Sequence, residues 1–154
     1  MDSDVAQVID RTNLIENLMN QIIEKFISPR KEAFPFFWTI FLDGSIISLG
    51  TKVRLVILIS QEVGIKINQE PLRRVVRLRN AFAHHGLQSH PTLLIGKNPE
   101  EDKLVFELQT INSSLKLKRI SRKKASEDFN KNYHSAKKIL VEFKKELESQ
   151  IVLK

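Results

Sequence analysis

The residues best suited to chemistry are Arg79-Asn80-Ala81-Phe82-Ala83-His84, which close a basic, apolar-periodic segment from Leu72 to Phe82. Cleavage of RNA by its own 2′-hydroxyl needs a group that titrates near neutrality to move protons, and histidine is the side chain whose ordinary pKa lies there. It also needs fixed positive charge beside the developing phosphorane, which a guanidinium supplies through two parallel hydrogen bonds. Arg79 and His84 are the pair of residues that meets both needs.

The segment that carries them reads as a helix starting at Asn68 or Glu70, with Pro71 tolerated in its first turn, and ending at Gly86. At 100° per residue, Leu72, Val75, Val76, Arg79, Phe82 and Ala83 fall on or beside one face. Arg73, Arg77, Asn80 and His84 form a second, polar row that faces either water or another copy of the same helix. Arg79 leans into the edge of the apolar stripe, where an unpaired guanidinium is costly. It requires a carboxylate, a C-terminal carbonyl or a bound anion, and Glu70, Glu62 and Asp43 are the carboxylates nearest by element. His84 sits in the last turn, where the helix dipole favours the imidazolium; a capping or interface role is the plain alternative to catalysis. His84, His85 and His90 do not make a metal site, since adjacent histidines on a helix point about 100° apart.

Four helices and a small sheet are expected to position this motif. The first runs from about Asp4 to Phe26, with Val8, Thr12, Ile15, Met19, Ile22 and Phe26 on one face and Leu18, Ile23 and Ile27 widening it. Ser28-Pro29-Arg30 ends it, because the residue before proline avoids the α region. Phe34-Pro35-Phe36-Phe37-Trp38 is an aromatic connector whose rings read as core plugs. A second helix begins between Ser48 and Thr51 and closes with Gly64 at C′. Short joining loops predict antiparallel neighbours. Three strands follow, near 92–95, 103–108 and 115–118, the last alternating Leu115/Leu117 with Lys116/Lys118. The chain closes on a helix from Ser126 to about Gln150, whose Phe129, Tyr133, Ala136, Leu140, Phe143 and Leu147 should zip against the first helix.

The string Arg79-Asn80-Ala81-Phe82-Ala83-His84 resembles the Arg-x4-6-His motif of HEPN domains, and its wording is most similar to the mannitol operon repressor (MltR-like) branch. Ser48-Leu49-Gly50-Thr51-Lys52-Val53-Arg54-Leu55 also looks like the Gly-x-Lys-x-Arg-Leu stretch that precedes the motif helix in that branch. The resemblance covers roughly residues 14–86, with the last helix similar in pattern only. It implies a mainly α fold: an HEPN-like antiparallel four-helix bundle, with the β-meander at about 89–121 as an insertion. It implies a homodimer whose two motifs meet in one cleft, with Arg79 orienting phosphate, Asn80 positioning it and His84 as acid or base. The activity implied is that of a metal-independent endoribonuclease of the toxin or defence class, which needs no cofactor. The same branch contains non-catalytic regulators, so an antitoxin or a regulatory protein stands beside RNA as an expected partner.

Length and charge set the frame. A chain of 154 residues is one domain by prior and large enough to bury its own core. It has no cysteine, which excludes disulfides, thiolate metal sites and thiol nucleophiles and suits a reducing cytosol. The acidic start Met1-Asp2-Ser3-Asp4 is the reverse of a signal-peptide head, and no apolar run approaches a membrane span, so a cytoplasmic protein is expected. Residues 1–115 balance 13 basic against 13 acidic side chains; residues 116–154 carry 12 against 5, the whole net charge of +7. Lys116, Lys118, Arg119, Arg122, Lys123 and Lys124 are the densest part. They, with Arg73 and Arg77, could neutralise nucleic-acid phosphates, or simply form a solvated corner.

Overall fold

In a computed structural model, residues 3–85, 91–94, 103–111 and 117–152 are described, with side chains for 4–83 and 119–151. The chain is mainly helical. Helix α1 (Ser3–Ile27) is followed by a helical connector: a 3-10 turn (Lys31–Ala33), α2 (Phe34–Phe36) and a π-helical turn (Phe37–Phe41). Then come α3 (Leu49–Glu62), α4 (Glu70–His85), β1 (Pro91–Leu94), β2 (Lys103–Ile111), β3 (Leu117–Ser121) and α5 (Arg122–Val152). Among the described residues no helix is long and apolar enough to cross a membrane.

Local chemistry accounts for the boundaries. Ser28, at φ 48°, takes the left-handed C′ position ahead of Pro29, and its N–H returns to the Glu24 carbonyl at 2.8 Å. The Ser48 hydroxyl caps α3 by accepting from the Thr51 N–H at 3.3 Å. Gly64, at φ 74°, ends the same helix in the conformation expected of a C′ glycine. Asn68 accepts from the Glu70 N–H at 3.1 Å and opens α4. At the start of α5 the Ser121 hydroxyl accepts from the Lys124 N–H at 3.3 Å. The last helix therefore begins at Arg122, four residues earlier than the apolar stripe predicts, and takes up part of the basic cluster.

The core forms where α1, α3, α4 and α5 meet. The expected α5 stripe is buried from Phe129 to Leu147 and packs on α1. On α1, Val8, Thr12, Ile15, Met19 and Ile22 are buried, but Phe26 and Ile27 emerge at 41% and 48% exposure. The meander is antiparallel in the order β1-β2-β3: β1 pairs with residues 103–106 of β2, and β3 with residues 107–111. β3 starts at Leu117 and runs to Ser121, later than expected; Leu115 and Lys116 lie outside the described residues, as does Ile95 of the expected first strand.

Two expectations are corrected. First, the helices are not all antiparallel. Arg122 pairs with Asp4, Arg11 donates to Asn130, and Lys144 donates to Gln21 at 2.7 Å, so α1 and α5 rise together. Lys52 binds Glu16, while Ile23 and Ile27 line a groove with Ile59 and Glu62, so α1 and α3 also run in the same sense. The reason is the connector: because it is itself helical, it serves as the return leg that a plain loop could not supply. Second, the aromatic segment is not a set of core plugs. Phe37 is buried and Trp38 half-buried, but Phe34, Phe36, Ile40 and Phe41 are exposed. A π-turn places its side chains at a different angular step from an α-helix, so one face cannot collect all the rings.

Lys52 ties these legs together. It is 1% exposed, and its ammonium donates to the Glu16 carboxylate of α1 and to the Leu42 carbonyl at the end of the connector. Removing the acid strands a buried charge, whereas removing the lysine leaves Glu16 partly hydrated at 25% exposure. Glu16→Ala should therefore cost about 3–5 kcal/mol, and Lys52→Met less, about 1–3 kcal/mol. Urea unfolding of both variants checks the order; equal or reversed losses would contradict it.

Candidate nucleic-acid interface

Helix α4 buries Pro71, Leu72, Val75, Leu78, Ala81 and Phe82. The core face is rotated from the expected one: Leu78 and Ala81 belong to it, Val76 is half-buried and Ala83 is exposed. Arg74 and Arg79 consequently flank the two edges of the buried stripe. The rotation arises because α5 and β2 pack against α4 together with α1, widening the covered arc.

The four arginines of α4 are in different electrostatic states. Arg74 donates from Nε to Asp128 of α5 at 2.8 Å and pairs with the same carboxylate through its terminal nitrogen. Arg77 pairs with Glu70 one helical stretch back. Arg73 is exposed and bonds the Gln69 amide at 3.1 Å. Arg79 is half-buried, and its hydrogen bond among the described residues goes to the Asn80 amide oxygen at 3.3 Å. None of the carboxylates anticipated from sequence reaches it: Glu70 is taken by Arg77, and Asp43 accepts from Ser45. Among the described residues no carboxylate pairs with Arg79, which lies next to the polar row. His84 lies in the last turn of α4, but its side chain is outside those described. The row Arg73, Arg77, Asn80 presents polar groups, and no large apolar side chain of α4 is exposed among the described residues.

The basic cluster divides in the same way. Arg122 is held by Asp4, Nε to Oδ2 and a terminal nitrogen to Oδ1, each at 2.6 Å. Lys123 and Lys124 are exposed in the first turn of α5, which contains no acidic residue. Arg119 is exposed on β3. Lys118 stands opposite Thr110 in the strand register; its side chain, and all of Lys116, lie outside the described residues. Arg119, Lys124 and Lys131 line a groove of about 620 Å³ with Arg74, Asp128, Glu127 and Ser121. Since Arg74 and Asp128 neutralise each other, the groove retains three cations against Glu127. Sequence reasoning missed Arg74 and Lys131, because only the packing of α4 against α5 brings them to one place. Among the described residues no three His, Asp or Glu side chains converge as a metal ion would require. His134 is exposed.

The hydrogen bonds from Arg122 hold the Asp4 carboxyl below the usual carboxylate range, against a smaller opposing effect of burial. A carboxyl whose folded pKa is depressed adds stability above its unfolded pKa, and loses it as pH falls through the lowered value. Asp4→Asn should cost about 1 kcal/mol near pH 7, since both partners are partly exposed. The difference from wild type should vanish in acid below that value. Urea titrations at the two pH values check it; a pH-independent difference would mean that the pair is not its source.

No family model matches the chain, and neither the curated proteins nor the solved structures contain a significant match to it.

Proposed function

We propose that this chain is an HEPN-like endoribonuclease of the toxin or defence class, acting on single-stranded RNA through Arg79, Asn80 and His84. The observation that carries the reading is the half-buried Arg79 guanidinium, bonded to Asn80 and without a carboxylate among the described residues, while Arg74 and Arg77 each have one. A scissile phosphate would supply the missing anion. In the reaction the ribose 2′-oxygen attacks phosphorus, its proton passes to a base, and the 5′-oxygen leaves with a proton from an acid. His84 would serve as one of these two groups, and Arg79 would stabilise the charge gathering on the phosphorane.

The test is cleavage of an RNA pool in the presence of a chelator. Wild type should cleave, and DNA should survive because it lacks the 2′-hydroxyl. His84→Ala and Arg79→Ala should each lower the rate by about 10²–10⁴-fold with the helical signal retained. Persistence of cleavage in His84→Ala would assign it to a contaminant and overturn the reading.

The groove beside α5 supports a second reading, a non-catalytic MltR-like regulator that binds nucleic acid. Three cations against the single acid Glu127, and an acid-free helix start, are suited to phosphate contact. Binding should then weaken steeply with salt, and replacing Arg119, Lys123 and Lys124 should reduce the logarithmic slope by about 0.7 per lost contact on a single strand. Salt-independent binding would return these residues to the status of solvated surface.

A further inference from the structure

Eight of the ten large apolar side chains exposed among the described residues fall between Phe26 and Leu58: Phe26, Ile27, four in the connector, Ile46 and Leu58. Three of them, Phe26, Ile27 and Leu58 (58% exposed), border a groove of about 560 Å³ between the end of α1 and the outer face of α3. A surface of that kind is a contact surface in most soluble proteins.

The charges around it indicate what covers it. On α3, Arg54, Leu58 and Glu62 occur at steps of four, so they form one row with the apolar residue at its centre. Arg54, Leu58 and Glu62 are all exposed, and no ion pair engages Arg54 or Glu62 among the described residues. Each charge lies about 6 Å along the axis from Leu58, on opposite sides. Such a row is its own complement under a two-fold axis. A second α3 laid antiparallel, Leu58 against Leu58, sets each Arg54 beside the partner's Glu62 twice over. A parallel approach would oppose like charges.

We infer that the α1/α3 groove is the homodimer interface of this protein, with an antiparallel α3 pair centred on Leu58 and reciprocal Arg54–Glu62 ion pairs. This goes beyond the proposed ribonuclease reading and moves the expected contact from the polar row of α4 to a different helix. Isologous packing at the usual interaxial distance of about 8–10 Å would bury Leu55, Leu58, Phe26 and Ile27 between the copies.

Sedimentation equilibrium on the full chain tests it. Wild type should be a dimer at micromolar concentration, and Leu58→Arg should weaken association by about 100-fold or more. Arg54→Glu alone, which faces Glu62 with a like charge, should weaken it roughly tenfold. The double variant Arg54→Glu/Glu62→Arg should restore the wild-type constant. These two residues are exposed, so the charge swap remains informative even if Leu58→Arg folds poorly, which circular dichroism will show. A monomeric wild type, a dimer indifferent to Leu58→Arg in a folded variant, or a swap that does not restore association each overturns the proposal. RNA cleavage is measured separately on the same variants, so loss of the dimer and loss of the ribonuclease reading are distinguishable.

Discussion

The buried ammonium of Lys52 is the constraint on which the arrangement of helices depends. A lysine at 1% exposure is tolerated only if its charge and donors are met, and two separate parts of the chain meet them. Glu16 supplies the opposite charge from α1, and the Leu42 carbonyl supplies an acceptor where the π-turn would otherwise leave one open. One side chain therefore sets the height of α3 against α1 and the point at which the connector stops. Hydrophobic burial drives these helices together, but it is indifferent to small axial slips. A buried ion pair is not, which makes it a device for register more than for net stability.

Once that height is set, the direction of the remaining elements follows. The helical connector returns the chain, so α3 climbs beside α1 instead of descending. The Phe26–Ile27 end of α1 is left exposed, and so is the outer face of α3 at Leu58. The exposed apolar groove is thus a consequence of parallel packing, and it sits where a second copy can complete what the single chain does not bury. The basic groove has a related origin: α5 starts directly from β3, and this brings Arg119 and Lys124 beside the α4–α5 contact.

The motif helix shows how burial and pairing sort chemically identical residues. Arg73, Arg74, Arg77 and Arg79 differ little as letters in the sequence. Packing gives Arg74 the Asp128 carboxylate, helical spacing gives Arg77 the Glu70 carboxylate, and among the described residues neither gives one to Arg79. A partly desolvated guanidinium without an anion is the kind of group that ligand binding can satisfy, and this one is bonded to Asn80 of the polar row. The same sorting removes Arg122 from the pool of free cations, because Asp4 holds it in a two-point contact.

The elements that could be read from the sequence are those whose signals are local. The stripes of α1 and α5, the Ser48 cap, the Gly64 stop and the presence of three strands each depend on residues within a turn or two. The position of Arg79, Asn80 and His84 at the end of a helix is local in the same sense. What only the tertiary structure decided is relative: the sense of α1 against α3 and α5, the rotation of the α4 core face, and which arginines find acids. Apolar periodicity is blind to helix direction, since a stripe is equally apolar read from either end. Connector length suggested an antiparallel return, yet the connector was itself a leg, a fact that depends on a π-turn no periodicity announces. Ion pairs such as Asp4–Arg122 and Arg74–Asp128 join residues more than fifty positions apart, so their existence waits on the packing that brings them together.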